Sequence, residues 1–221
     1  MEIVVSRFNE DLNWVKEYPF NQFNYVVYNK GQKNSFSTIN STKIIDLPNK
    51  GRCDHTYFYH IVNNYGNLKP ITIFFPGSID MPNKKPKALA ILTHIIKKKE
   101  ALLPVEHCDS VYQKFKNFKL DNWKTSYEKN IVEDQQFYKA DLRPYGKWYK
   151  YHFGNKHCNI YNINSIFSLN KVDILKFPIN KYQYFMNLLK QYPHSEVCHY
   201  MERSWCVVFG PFVRTKLLSY V

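Results

Sequence analysis

At 221 residues with 44% hydrophobic and 17% aromatic side chains, the chain is too apolar to stay disordered and long enough to bury a sizeable core. Seven glycines, eleven prolines and no apolar run near the roughly 20 residues of a membrane span exclude collagen-like, linker and membrane-spanning classes. Thirty-one Lys and Arg against 18 Asp and Glu leave a formal charge of +13, a field that attracts phosphates, polyanions or acidic surfaces without choosing among them.

The first residues, from Met1 to Arg7, read as the start of the fold and lack the basic and apolar regions of a secretory signal. Glu2 to Phe8 is a strand, and Asn9 caps a predicted helix that carries Glu10 and Asp11 in its first turn and runs through Leu12, Trp14 and Val15 to Pro19. Asn24 to Tyr28 and Thr42 to Leu47 are two further strands, the first ending in Asn29-Lys30-Gly31. Asp54 is the expected N-cap of a helix over His55–Tyr65 that Gly66 ends, and Ile71 to Phe75 is an all-apolar strand closed by Pro76-Gly77-Ser78. Buried strands separated by helical patterns predict an α/β fold with a mostly parallel central sheet flanked by helices. Ligands then sit at the carboxyl ends of the strands.

Lys87 to Glu100 is a predicted helix with a basic end, and Asp109 to Tyr151 reads as an irregular insertion over the sheet. Asn159 to Leu169 looks strand-like; Lys171 to Leu175, Tyr182 to Gln191 and Glu196 to Val208 look helical. Neither a repeat nor a linker interrupts the chain, so one domain is expected over 1–221, with a nucleotide-binding half (1–80) and an acceptor or insertion half (81–221). Five cysteines, odd in number and without a C-x-x-C pair, predict a reducing compartment, and the location expected is cytoplasmic.

Four places carry candidate chemistry. Arg7, Asn9 and Asp11 lie where a strand gives way to a helix start, an anion-binding position that capping explains equally well. Gly51 permits close backbone approach and Arg52 offers a planar fork for phosphate, directly before a helix; a turn with an N-cap is the plainer alternative. Gly77, Ser78 and Asp80 follow the buried strand, where a donor-binding carboxylate or metal ligand would stand, or simply a turn. His199, Glu202 and Arg203 share a helix face, which suits a carboxylate tuned as a general base and equally an internal ion pair. His152, His157, Cys158, His194, Cys198 and His199 are metal-ligand types at spacings that match no ordinary zinc module.

Ile3 to Trp14, Tyr25 to Gly31, Asn49 to Tyr57, Thr72 to Gly77, His199 to Trp205 and Phe209-Gly210 resemble, in the same order, an uncharacterised family of small proteins found in fungi, algae and large DNA viruses. The Asn-x-Gly-Arg with a nearby acid and the late Glu-Arg are also similar to rhamnan-synthesis and capsular-polysaccharide proteins, which look like GT-A glycosyltransferases. The resemblance implies a single GT-A-like domain that moves a sugar from a nucleotide-diphosphate sugar to a glycan or protein acceptor. It implies Arg7, Asn9 and Asp11 near the nucleotide, Asn29 and Lys30 beside it, Gly51, Arg52 and Asp54 around the diphosphate or sugar, and Glu202 near the acceptor. The acid expected after Gly-Arg is Cys53 here, with Asp54 one place later, and the sequence holds no Asp-x-Asp or Glu-x-Asp to carry Mn²⁺ or Mg²⁺. A nucleic-acid-binding module, using Lys84-Lys85-Pro86-Lys87 and Lys97-Lys98-Lys99, and a carbohydrate-binding protein stacking sugars on Trp148, Tyr149 and Tyr151 are the competing classes.

Overall fold

The computed structural model describes residues 1–32, 35–132 and 136–219. Strand β1 (Glu2–Arg7) is buried along nearly its whole length because parallel neighbours pair with it on both sides, β2 (Tyr25–Asn29) and β4 (Ile71–Pro76). That placement explains an almost unbroken apolar run, since both faces of a central parallel strand need cover. Side chains alternate between two layers: Ile3 and Val5 face one, with Trp14, Phe20 and Phe75, while Val4 faces the other, with Tyr57, Phe74 and Trp205. Strand β3 (Thr42–Asp46) forms one edge, and the five-stranded sheet has the order β3-β2-β1-β4-β7. The last strand, β7 (Phe167–Asn170), runs antiparallel to β4. A second sheet places β5 (Leu102–His107) between β6 (Ile160–Tyr161) and β8 (Lys216–Ser219). The fold is mixed α/β, and because β7 comes from the second half of the chain, the two expected halves share one sheet.

Helix α1 (Arg52–Asn64) packs Tyr57, Phe58 and Ile61 onto one face of the sheet, and α2 (Lys85–Lys98) packs Ala88, Ile91, Leu92 and Ile95 onto the other. Short helices α3 (Val111–Phe115) and α4 (Tyr145–Phe153) lie inside the stretch expected to be irregular. Helices α5 (Lys171–Leu175) and α6 (Ile179–Leu189) follow the reading of the sequence closely. The aromatic surplus is spent in the α1 layer, where Phe58 lies 4.9 Å from Trp205 and Tyr57 lies 4.9 Å from Phe74. Such pairs add about 0.5–1.5 kcal/mol each beyond area burial. No helix among the described residues is long and apolar enough to cross a membrane.

Four local expectations are corrected. Asn9 starts no α-helix: Leu12 takes a left-handed backbone (φ 56°) and only a single 3₁₀ turn forms at Asn13–Lys16. The N-cap of α1 is Gly51, not Asp54, which lies buried in the first turn. Asn159 to Leu169 is two strands of different sheets, β6 and β7. Glu196 to Val208 breaks into α7 (Glu196–Glu202) and α8 (Trp205–Phe209) at Arg203-Ser204. There the Ser204 hydroxyl donates to the Tyr200 carbonyl (2.8 Å) and shares a hydrogen bond with the Tyr145 hydroxyl (2.9 Å).

Candidate functional site

In an open α/β sheet the strand order reverses where successive strands leave in opposite directions, and the carboxyl ends there splay into a crevice. Here β2 and β3 lie on one side of β1 and β4 on the other, so the reversal falls between β1 and β4. A cavity of about 330 Å³ opens there, bordered by Ser6 and Arg7 at the end of β1 and by Pro76 and Ser78 at the end of β4. Among the described residues, five cationic side chains line it (Arg7, Lys30, Arg52, Lys84 and Arg203), against two carboxylates, Glu10 and Glu202.

The cations are held in different ways. Arg7 is 1% exposed; its Nε donates to the Glu10 carbonyl (2.7 Å) and its Nη1 to the Phe8 carbonyl (3.0 Å) and Asn29 Oδ1 (2.5 Å). It braces the loop after β1 as well as charging the cavity wall. Lys30 is buried, its ammonium donating to the carbonyls of Lys50 (2.5 Å) and Arg52. Desolvation pushes its pKa down to about 8. Lys84 donates to Ser78 Oγ (2.6 Å), and burial lowers its pKa too. Arg203 donates to the His199 carbonyl (2.8 Å) and lies 3.8 Å over the Phe118 ring, its Nε buried without a hydrogen-bond partner among the described residues.

Arg52 is the most exacting of these placements. Gly51, the N-cap of α1, and Arg52, its first residue, both take left-handed backbone (φ 55° and 49°). A Cβ at Gly51 would come within 2.4 Å of the Leu189 carbonyl oxygen, so only glycine fits there. For Arg52 the conformation is strained, a cost on the order of 1 kcal/mol that surrounding contacts sustain. Its guanidinium lies 4.0 Å over the Trp123 ring, and Nη1 donates to His199 Nε2 at 3.0 Å. Burial, then the charge of Arg52, pushes the His199 pKa down to about 2, so the imidazole is neutral and accepts at Nε2.

Glu202 borders the same space. Its Oε1 accepts the Asn164 backbone N–H (2.8 Å), and Oε2 lies 3.6 Å from Arg203 Nη1. Behind it, Asp54 is buried and accepts from Ser165 Oγ (3.2 Å). Burial and then the nearby Glu202 charge push the Asp54 carboxyl up to about 7, with Arg52 opposing. The folded protein thus keeps a proton that the unfolded chain releases near 3.9. The associated stability is complete below about pH 4 and is lost as pH rises toward 7, with a slope of about 1.4 kcal/mol per pH unit. Asp54→Asn stays neutral throughout and is expected to remove that decline. Denaturant midpoints at steps between pH 4 and 8 read it, and an unchanged slope would mean that Asp54 ionises freely in the native protein.

Of the residues singled out from sequence, the cavity brings together Arg7, Lys30, Arg52, Ser78, His199, Glu202 and Arg203. Asn29 and Gly51 support the wall from behind, through Arg7 and the turn before α1. Asn9, Asp11, Gly77 and Asp80 do not line it, although Asn9 and Gly77 each lie between two lining residues. Asp11 pairs with Lys129; the Gly77 carbonyl accepts from Trp14 Nε1 (2.8 Å); Asp80 is exposed and accepts from the Tyr127 hydroxyl (3.1 Å). Glu10, one of the acids just after the first strand, and Lys84, picked out only as part of a lysine run, also line it, while Trp123, Asn130 and Asn164 are lining residues that sequence reasoning did not single out. Both expected halves contribute. The lysine runs do not form one patch, since Lys84 lines the cavity and Lys85 pairs with Glu17 (2.6 Å) while Lys97 to Lys99 stand exposed at the far end of α2.

Among the described residues no three His, Cys, Asp or Glu side chains converge as a metal-holding group, so the zinc set weighed above does not assemble. The cavity carboxylates are already engaged: Glu10 accepts from Phe8 N–H and Asn130 Nδ2 (both 2.6 Å), and Glu202 accepts from Asn164. This donor set does not fit a divalent cation held by protein side chains alone.

The chain belongs to a family described as protein of unknown function (DUF3431), whose model matches residues 3–215. No curated protein matches it.

Proposed function

We propose that this family member transfers a glycosyl group from a nucleotide-diphosphate sugar to a hydroxyl acceptor, in a GT-A-like single domain. The observation that carries the reading is the convergence of five cationic side chains on one crevice at the reversal point of a parallel sheet. Breaking the bond between sugar and diphosphate leaves negative charge on the departing oxygen, which in this reading Arg52, Lys84 and Arg203, lining the crevice, stabilise. In this reading Glu202, which lines the same cavity, takes the acceptor's proton. His199 is a neutral prop that fixes Arg52 rather than a base, because a group with so low a pKa does not take up a proton near neutrality.

The test is a thermal-shift panel of UDP-, GDP-, CMP- and dTDP-sugars, with and without Mn²⁺, on the wild type and on Arg52→Gly. A ligand that binds only the native state raises the melting temperature by mass action. One nucleotide class is expected to shift the wild type irrespective of Mn²⁺. Arg52→Gly relieves the left-handed strain while removing the guanidinium, so it is expected to melt within a few degrees of the wild type and to bind that ligand about 10–100-fold more weakly. No shift with any sugar nucleotide would remove the transfer reading.

A further inference from the structure

A second cavity, of about 290 Å³, lies away from the strand ends and differs in chemistry from the first. Its rim is aromatic: Tyr151, Tyr184 and Tyr192 are 70%, 47% and 41% exposed. Among the described residues the charged side chains bordering it are one of each sign, Lys139 and Asp141, and Lys139 is also paired with Asp121 (3.1 Å). His152 shares a hydrogen bond with the Tyr184 hydroxyl (2.8 Å), and burial pushes its pKa down to about 4, so it adds no charge at pH 7. Trp148 borders the cavity at 1% exposure, and its indole Nε1 is buried with no hydrogen-bond partner among the described residues. An orphaned buried donor costs about 1–3 kcal/mol unless something accepts from it.

We infer that this cavity binds a neutral saccharide. A pyranose ring presents an apolar C–H face, which suits the exposed tyrosine rings, and a hydroxyl rim that accepts from Trp148 Nε1 and bonds with Gln191 and the His152–Tyr184 pair. The balanced charge disfavours the phosphorylated ligands that suit the first cavity. The two cavities lie on either side of one segment: Pro193 and His194 border the first, Tyr192 and Ser195 the second. That segment is tied to Tyr138, whose N–H donates to the His194 carbonyl (3.1 Å) and whose carbonyl accepts the Glu196 N–H (2.9 Å). The inference does not depend on glycosyl transfer, but it gives a glycan a place to be held beside the cationic crevice.

Chitotriose, cellotriose and mannotriose, titrated into the ¹⁵N-labelled full chain, provide the test. The indole N–H signal of Trp148, identified by its disappearance in Trp148→Phe, is expected to move with at least one of them. Tyr184→Ala and Tyr151→Ala, both at exposed positions, are each expected to weaken that binding at least tenfold. Any thermal shift caused by a sugar nucleotide should stay unchanged in these two variants, so that failure here and failure of the transfer reading are separable. A Trp148 signal that ignores all three trisaccharides overturns the inference, as does one that responds only to adenosine, which would mark a site for planar heteroaromatics.

Discussion

Glu202→Gln is expected to lower turnover by about 10²–10⁴-fold while leaving sugar-nucleotide affinity within a factor of about three. The substitution is nearly isosteric, and the amide carbonyl can still accept the Asn164 N–H that positions Oε1 at 2.8 Å. What the amide cannot do is take a proton from a hydroxyl. Because the change removes a negative charge from a cavity proposed to bind an anion, the donor should bind no worse and slightly better. Single-turnover rates and equilibrium titration on one preparation separate the two effects. Loss of affinity in step with loss of rate would make Glu202 a binding group, and full retention of rate would send the search for the base to Glu10, the other carboxylate on the cavity wall.

The sheet was legible where its strands are buried on both faces: the apolar runs that became β1, β2 and β4 needed no tertiary information. Strand β5 escaped notice because Pro104 and the Glu106-His107 end break its apolar run, and its partners β6 and β8 lie far away in sequence. The break between α7 and α8 has no Gly or Pro to announce it, since it depends on Ser204 meeting Tyr145 across 59 residues of chain. In the site, Arg52 could be found because a glycine stands before a helix start, a local signal. Lys84 was concealed in a run of lysines, and only the fold distinguishes the one turned to Ser78 from Lys85, which pairs with Glu17. Trp123 lies in the stretch read as irregular, and nothing around it in sequence indicates that Arg52 will stack on it.

A distant carboxylate anchors the chain on both sides of Trp123, which makes Glu196 a sensitive position for stability. The side chain is 0% exposed and accepts three hydrogen bonds, from the backbone N–H of Leu120 (2.8 Å) and of Ala140 (2.9 Å) and from the Tyr200 hydroxyl (2.7 Å), and its Oε2 lies 3.2 Å from Arg143 Nε as an ion pair. One carboxylate thereby fastens residues 120 and 140, on either side of the stretch bearing Trp123, to the first turn of α7. Glu196→Ala leaves these donors and the Arg143 charge without their acceptor. The expected cost is about 3–5 kcal/mol, or on the order of 10 °C in melting temperature for a domain of this size. Glu196→Gln keeps one carbonyl and should recover part of that loss. Because Trp123 supports Arg52, sugar-nucleotide affinity should fall in Glu196→Ala even at temperatures where the variant is fully folded. Denaturant unfolding followed by titration at 10 °C distinguishes the alternatives. Unchanged affinity in a destabilised variant would show that Trp123 holds its place without this anchor, and unchanged stability would show that water replaces the carboxylate at every donor.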